Sequence, residues 1–388
     1  PGRSGGGACP TRGEDVLLQL HGSVARTAAT PQSLLRCPGG AAPRTRNMTS
    51  ERYRGVAASV AALLNGLSKE CGAAHCEQAD FAGCVLRLAG HDFMDYKDGF
   101  GGSDACTDMA HADNAGLAAC LHRGEHGVSL EQAYQQHCTE VSLADFIVIA
   151  AEAVMVETRK SAGLDADALP FERRFRYGRA TRERCDGAAE LLPNPARGCD
   201  AVEDTFVRNM GLSWRGAAAL MGVHSLGRAR VENSGYHGWW SDPANSRIFN
   251  NDYYVSLLAK GWVPETSVGG VAVKSQWGRS DAGLDPSFDG HEMMLDTDIC
   301  LAFSDKGRPV NSQETDCCAW ADFRAGGARC GRGHRECCGR EYPRDCGMPL
   351  FPRGPAARDV REFANDEAAW LREFARAWAK ATENGQDG

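Results

Sequence analysis

Apolar residues recur at steps of three and four along most of this chain, which is the spacing of helices that bury one face. The spacing predicts a first helix from Arg52 to about Leu67 and a second helix through residues 81–88. Four further helices are predicted, at residues 129–138, 143–156, 199–210 and 213–224. Strand patterns are hard to find. We therefore expect an all-α, or mainly α, fold.

Both ends of the chain and one internal segment depart from this pattern. Residues 1–50 are rich in Gly, Pro, Arg, Thr and Ser and predict a largely irregular extension, with Cys9 and Cys37 as candidates to hold it down. Residues 303–355 form a cysteine-rich insertion. An amphipathic helix is predicted at residues 358–383 and closes the core. Its apolar positions are Phe363, Trp370, Phe374, Trp378 and Ala381.

Composition excludes some classes of protein. At 388 residues and 43% hydrophobic content, the chain can bury a large core. The formal net charge is -8 and no long Lys/Arg run occurs, so the electrostatic footprint of a nucleic-acid-binding protein is missing. No apolar run approaches the ~20 residues that a membrane-spanning helix needs. We expect neither a nucleic-acid partner nor a membrane span.

Cysteine content bears on the cellular compartment. The chain has 17 cysteines, and Asn47-Met48-Thr49 is a glycosylation sequon. Together they favour the secretory pathway or the extracellular space, with an organelle lumen as the alternative. The first residue is Pro1 and no signal peptide is recognisable, so we interpret the start as processed or truncated. The odd count predicts at least one thiol that is free or bonded to another molecule.

Candidate chemistry begins with Arg87 and His91, which lie four residues apart on one face of the second predicted helix. A neutral imidazole can take a proton from one peroxide oxygen, while a guanidinium stabilises the other oxygen as it departs. Most Arg/His pairs at this spacing are solvated surface residues. The pair therefore needs support from elsewhere in the chain.

That support comes from a resemblance to the non-animal haem peroxidase superfamily, nearest to its cytochrome c peroxidase and ascorbate peroxidase branch. The resemblance spans roughly residues 52–300 and resumes at about 358. The motifs that carry it are Arg87-Leu88-Ala89-Gly90-His91-Asp92, Asn114-Ala115-Gly116-Leu117, Ala144-Asp145-Phe146, Ala219-Leu220-Met221-Gly222-Val223-His224-Ser225-Leu226-Gly227-Arg228, Gly238-Trp239-Trp240-Ser241 and Met293-Met294-Leu295-Asp296-Thr297-Asp298. The final helix is similar to that of the cytochrome c peroxidase branch.

The resemblance implies one haem peroxidase domain over residues 51–388. Haem b is expected between a distal half, about 51–170, and a proximal half, about 171–302. On the distal side it implies His91 and Arg87 as catalytic residues, with Asn114 orienting His91.

On the proximal side, the resemblance implies His224 as the axial ligand of the haem iron and Asp298 as the acceptor of its other ring proton. Ser225 and Arg230 are also expected at the cofactor. Trp240, sixteen residues past His224, matches a tryptophan that can hold an oxidising equivalent. Each residue also has a purely structural interpretation. His224 could be a buried histidine whose hydrogen bonds are made within the core, Asp298 a helix-capping aspartate and Trp240 a core tryptophan.

The chain departs from the family pattern at two positions of the expected site. Gly90 stands where the family has Trp or Phe over the distal face, which predicts a wider cavity. Asn233 replaces the arginine that ascorbate-using relatives carry nine residues past the proximal histidine. Ascorbate is therefore not expected as a dedicated substrate.

The sequence also offers less favoured candidate sites for metal ions other than iron. Asp92 and Asp104 give an incomplete copy of the family's distal calcium site, because Cys106 replaces a serine. A monovalent cation near Ser225, Ser241 and Asp242 is a second expectation of this kind. The cysteine-rich insertion contains His334 and could hold zinc, but its spacings favour disulfides.

The predicted function is the reduction of hydrogen peroxide with oxidation of a small organic or phenolic donor. Two alternatives stay open. The enzyme could oxidise a protein partner through Trp240. Otherwise, the chain could be a non-catalytic subunit that keeps the scaffold and binds a partner through its cysteine-rich loop or N-terminal extension.

Overall fold

The computed structural model describes residues 35–72, 75–185, 188–260, 262–279, 290–303 and 354–386. Its α-helices are α1 (Ser50–Asn65), α2 (Glu77–Phe93), α3 (Leu130–Tyr134), α4 (Leu143–Ser161), α5 (Phe171–Arg174), α6 (Gly198–Val202), α7 (Trp214–Met221), α8 (Val231–Ser234), α9 (Asp252–Ala259), α10 (Asp296–Phe303), α11 (Ala357–Asn365) and α12 (Glu367–Glu383). The prediction of a mainly α fold is confirmed. None of these helices is long and apolar enough to cross a bilayer.

Shorter helical turns connect these elements. The 3₁₀ turns are Ala112–Asn114, Glu125–Gly127, Ala188–Leu191, Pro195–Arg197, Gly222–Ser225 and Asn245–Arg247, and the π-helical turns are Ala119–Arg123 and Glu203–Asn209. The helix predicted at residues 199–210 is therefore α6 followed by a π-helical turn. The helix predicted at 129–138 shortens to α3, which Ser129 and Gln132 begin with a capping box.

Helix α4 is the centre of the core and is buried on nearly all sides. Ser142 caps its start by accepting the backbone N–H of Asp145 at 3.2 Å. Glu152 on α4 is buried and accepts hydrogen bonds from Tyr53 Oη on α1 at 2.7 Å and from Trp378 Nε1 on α12 at 2.9 Å. Burial raises the pKa of Glu152 to about 7. This carboxyl group therefore joins the first and the last helix of the core.

The C-terminal segment forms two helices where the apolar spacing predicts one. The chain breaks at Asp366, whose extended backbone ends α11 and whose side chain caps α12 by accepting the N–H of Ala369 at 2.8 Å. The predicted apolar face is confirmed, since all five of its members are at most 1% exposed.

Strands are the element that the apolar spacing missed. Strands β1 (Arg228–Ala229) and β2 (Gly238–Trp239) pair with each other, and β3 (Trp262–Val268), β4 (Val271–Arg279) and β5 (Met293–Met294) form an antiparallel sheet. Gly269 and Gly270 join β3 to β4, both with positive φ. Two glycines between runs rich in β-branched residues are a hairpin signal that the sequence offers.

Disulfide bonds join five pairs of described cysteines, which are Cys37–Cys138, Cys71–Cys76, Cys84–Cys120, Cys106–Cys185 and Cys199–Cys300. Four of these bonds connect positions 36 to 101 residues apart, and Cys71–Cys76 closes a local loop. Cys37 ties the described end of the N-terminal extension to the core through Cys138, while Cys9 lies outside the described residues. The cysteines of the 303–355 insertion and His334 lie outside them as well, so their expected disulfides and the zinc alternative stay predictions.

Candidate active site

A cavity of about 300 Å³ lies between α2 and the chain that follows α7. Arg87, Gly90 and His91 on α2 line one side, which we term the His91 wall. His224 and Trp240 line the other side, which we term the His224 wall. Most of the remaining lining is apolar, as in sites for organic ligands and cofactors. The fold therefore brings these five residues, all of which the sequence singled out, together in one cavity.

The His91 wall holds its histidine in one orientation. His91 Nδ1 lies 2.7 Å from Asn114 Oδ1, and Asn114 Nδ2 donates to the carbonyl oxygen of Asp108 at 2.8 Å. The second bond fixes the amide, so its oxygen faces the ring and His91 donates through Nδ1. Burial and the charge of Arg87 lower the pKa of His91 to about 3. At neutral pH, His91 Nε2 is an unprotonated acceptor for the cavity.

Arg87 is anchored by the same loop that orients His91. Its Nη1 donates to the carbonyl oxygen of Ala115 at 2.7 Å and its Nη2 to that of Asp113 at 2.5 Å. Burial lowers the pKa of Arg87 to about 10, and Asp113 opposes this shift. The guanidinium is still charged at neutral pH. The 3₁₀ turn Ala112–Asn114 thus sets the positions of both α2 side chains.

The His224 wall is built around Asp298. His224 Nδ1 lies 2.8 Å from Asp298 Oδ1, and Trp240 Nε1 donates to Asp298 Oδ2 at 2.8 Å. The backbone N–H of Leu295 also donates to this carboxylate at 2.8 Å. Burial acts to raise the pKa of Asp298, but the interactions with His224, Leu295 and Trp240 outweigh it and hold that pKa below its usual value. Asp298 is therefore an ionised acceptor despite being fully buried.

The backbone at His224 explains its exposure to the cavity. Helix α7 begins at the capping residue Ser213 and ends at Met221, and a tighter 3₁₀ turn, Gly222–Ser225, then carries His224. A Cβ atom on Gly222 would lie 2.6 Å from Tyr254 Oη and 2.7 Å from Trp370 Nε1. Only glycine permits this close packing beneath the turn. The Trp240 ring stacks on His224, with centroids 4.4 Å apart and an angle of 24° between the planes.

Two contributors to the site escaped the sequence analysis. Tyr253 on α9 donates from Oη to Asp298 Oδ1 at 2.9 Å. Asp80 on α2 binds both Arg228, at 2.9 Å, and Arg230, and all three line the cavity. Neither residue belongs to a sequence motif. The partner of Tyr253 lies 45 residues away along the chain, and the partners of Asp80 lie 148 and 150 residues away.

Arg230 and Ser225, the other two expected cofactor residues, occupy different places. Arg230 lines the cavity, whereas Ser225 is buried behind its wall. Within the described part of the chain, the Oγ atoms of Ser225 and Ser241 are buried without a hydrogen-bond partner. Asp242 instead accepts the backbone N–H and the side-chain amide of Asn245, at 3.0 and 2.8 Å. The monovalent cation therefore stays a prediction.

The expected calcium pair, Asp92 and Asp104, makes hydrogen bonds that hold a loop. The two oxygens of Asp92 accept the backbone N–H groups of Ala105 and Cys106, both at 3.0 Å. Asp104 accepts from Cys106 and pairs with Arg182 at 3.0 Å. Among the described residues, no three His, Cys, Asp or Glu side chains are arranged to hold a metal ion. The calcium ion at Asp92 and Asp104 therefore stays a prediction.

The two departures from the family pattern both face the cavity. The nearest atom to a Cβ built on Gly90 would be Met94 Cε, at 3.9 Å, so the space beside His91 is open. Asn233 lines the cavity and packs against Gly116, whose φ is +88°. A Cβ atom on Gly116 would lie 2.5 Å from Asn233 Cγ, so any side chain at this position would collide with Asn233. The loop that carries Asn114 is thereby held against α8.

Comparison with known proteins agrees with this geometry. The sequence model of a family described as Peroxidase matches residues 59–314. The chain is 31% identical over 181 residues to L-ascorbate peroxidase 1, cytosolic, of Oryza sativa subsp. indica, which is 45% of this chain and 64% of that protein. It is 37% identical over 110 residues to a heme-binding peroxidase of Pyricularia oryzae, 28% of this chain and 34% of that protein.

A longer alignment extends to a heme-binding peroxidase of Candida albicans. The two are 26% identical over 238 residues, which is 58% of this chain and 70% of the relative. The chain thus spans somewhat less than two thirds of the rice protein and a third of the Pyricularia protein.

Proposed function

Because this chain belongs to the peroxidase family, we propose that it is a haem peroxidase that reduces hydrogen peroxide and oxidises small organic or phenolic donors. The observation that carries the proposal is the pair of histidines on opposite walls of one cavity. His91 is bound to a neutral amide and His224 to a carboxylate. His91 is therefore suited to accept a proton, and His224 is suited to bind a metal ion.

The cavity has the features that haem b requires. His224 Nδ1 is engaged by Asp298, so Nε2 is the nitrogen left for an axial iron ligand. The walls are largely apolar, and Arg228, Arg230 and Lys274 at the lining offer cations to the carboxylates of such a cofactor. Bound there, haem would supply the iron at which the O–O bond of peroxide is broken.

The His91 wall supplies the acid-base chemistry. His91 Nε2 would take a proton from one oxygen of bound peroxide and return it to the other oxygen as that oxygen departs. The charge of Arg87 stabilises the negative charge that develops on that departing oxygen. Asn114 keeps the ring in the tautomer that this transfer needs.

The His224 wall tunes the ligand and offers an electron. Asp298 accepts the Nδ1 proton of His224 and so makes the ring a stronger donor to iron. Trp240, stacked on His224 and bonded to the same carboxylate, can give up one electron. This contact favours the second candidate function, in which a protein partner is oxidised through Trp240.

The donor is expected to be small and aromatic. The open space at Gly90 admits rings that a Trp or Phe there would exclude. Asn233 at the cavity gives no charge to an anionic donor such as ascorbate, although the rice relatives are named for that substrate. A purely structural subunit would not need Arg87, His91, His224 and Asp298 in this arrangement.

Partners and compartment follow from other parts of the chain. The five disulfide bonds among the described residues support an oxidising compartment, and hence the secretory pathway. Some relatives are named as cytosolic or peroxisomal proteins. The N-terminal extension, residues 1–50, and the cysteine-rich insertion of the 51–388 domain are the candidate surfaces for a protein partner.

Reconstitution of the purified chain with haem tests the proposal. A Soret band should form and shift when hydrogen peroxide is added. His91→Ala should keep the band but react with peroxide about 10²–10⁴ times more slowly, because the proton acceptor is lost. His122→Ala, which removes a half-exposed histidine bound to Glu131 outside the cavity lining, is the matched control and should react normally. Absence of haem binding, or normal reaction of His91→Ala, would overturn the proposal.

A further inference from the structure

Two adjacent tyrosines on α9 differ in one respect that bears on electron transfer. Tyr253 and Tyr254 are both 0% exposed, and their ring centroids lie 4.9 Å apart. Tyr253 Oη donates to a carboxylate oxygen, Asp298 Oδ1, at 2.9 Å. Tyr254 Oη instead donates to the carbonyl oxygens of Ala218 and Ala219, at 2.8 and 3.1 Å.

Tyr253 is part of the group of residues that surrounds His224. Its ring meets the His224 ring edge-on, with centroids 5.8 Å apart and an angle of 79°. Its hydroxyl shares Asp298 Oδ1 with His224 Nδ1, while Trp240 occupies Oδ2. One carboxylate therefore contacts the expected iron ligand and two oxidisable rings.

We propose that Tyr253 is a second oxidisable residue of the His224 wall, sharing Asp298 with Trp240. This inference rests on the proposed function, since peroxide is the oxidant. Hydrogen peroxide accepts two electrons as its O–O bond breaks. Haem bound against His224 would supply one of them, and Tyr253 would supply the other. As Tyr253 is oxidised, its phenolic proton moves along the hydrogen bond to Asp298 Oδ1. The products are a neutral tyrosyl radical and a protonated Asp298.

The partner of each hydroxyl determines which tyrosine can do this. A phenol that loses an electron becomes a strong acid and must release its proton to a base. A carboxylate oxygen of Asp298 already accepts the hydrogen bond of Tyr253 at 2.9 Å, whereas Tyr254 faces only backbone carbonyl oxygens, which are very weak bases. Tyr253 can therefore form a stable neutral radical, and Tyr254 serves as the control within the same helix.

Electron paramagnetic resonance with isotope labelling tests this inference. The haem-loaded Trp240→Phe protein, which lacks the competing tryptophan, is grown with ring-deuterated tyrosine and frozen after mixing with hydrogen peroxide. We expect a radical signal that narrows on deuteration. Adding Tyr253→Phe should remove the tyrosine signal, and adding Tyr254→Phe should leave it.

The other outcomes overturn the inference in distinguishable ways. A signal that does not narrow on deuteration shows that tyrosine is not oxidised, and this arm needs no variant at position 253. A tyrosine signal that survives Tyr253→Phe places the radical elsewhere. An unchanged Soret band before peroxide shows that Tyr253→Phe left the His224 ligand in place. If the wild-type chain binds no haem or ignores peroxide, the proposed function fails and this inference falls with it.

Discussion

The two walls of the cavity present the same side chain with opposite partners. His91 and His224 each use Nδ1 in a hydrogen bond, of 2.7 and 2.8 Å. The acceptor is the neutral amide of Asn114 on one wall and the carboxylate of Asp298 on the other. The bond lengths are nearly equal, so the charge of the acceptor is the difference that matters.

This difference shows how a fold assigns two roles to one residue type. The amide fixes the ring, and although its hydrogen bond acts to raise the pKa of His91, burial and the nearby Arg87 outweigh it, so His91 stays a free base. A carboxylate draws the Nδ1 proton away and strengthens the opposite nitrogen as a ligand. The predictions below alter the charges that separate the two walls.

The largest effect is expected from Arg87→Leu, which removes the cation from the His91 wall. Reaction with peroxide should slow by about 10²–10³, the usual cost of losing one group that stabilises a developing charge. The pKa of His91 should rise from about 3, because the repulsion by Arg87 is gone. Protonated His91 cannot accept a proton, so the variant should lose activity at a higher pH than the wild type as the solution is acidified.

Stopped-flow rates measured from pH 7 to pH 3 check this prediction. Arg87→Lys, which keeps the charge but not the paired contacts with Asp113 and Ala115, is the control and should retain the wild-type pH profile. Identical profiles for Arg87→Leu and the wild type would contradict the electrostatic explanation.

Exchanging the two partners should have an intermediate effect. Asp298→Asn gives the His224 wall an amide, and removing the partner of a metal ligand typically costs about 10–100-fold in affinity or activity. Asn114→Asp gives the His91 wall a carboxylate, which should raise the pKa of His91 and make the peroxide reaction fail in mild acid. Haem titration and rate-pH profiles of the two variants measure these effects. Normal behaviour of both would show that the charge of the partner is unimportant.

The smallest effect is expected from Gly90→Phe, which fills the open space on the His91 wall. Oxidation of bulky phenols should fall about tenfold relative to the smallest donors, a modest steric discrimination. Gly90→Ala is the control, because its Cβ meets only Met94 at 3.9 Å. Relative kcat/KM across donors of increasing size is the measurement. Equal losses for all donors would mean that Gly90 does not set donor size.

Sequence patterns predict what depends on neighbours along the chain. Arg87 and His91 share a helical face at a fixed spacing, and the buried face of the last helix follows its period. The break at Asp366 escaped, because a capping aspartate resembles any surface aspartate. Tyr253 and Asp80 escaped because their partners come from distant segments.

The calcium expectation stays a prediction for a related reason. An aspartate can hold a loop or a cation with the same oxygens, and the structure shows that backbone amides use those of Asp92. For the site, the family resemblance suggested the residues on each wall and the contact of Asp298 with His224. Only the fold shows that Asp298 also binds Trp240 and Tyr253.

One junction in the chain bears on its tolerance of changes in length. Gly354 N donates to the carbonyl oxygen of Ala302 at 2.8 Å, and Ala356 N to that of Leu301 at 3.1 Å. The two described ends of the chain on either side of residues 304–353 therefore meet at one place on the core. A junction of this kind lets the length between α10 and α11 change without moving Asp298.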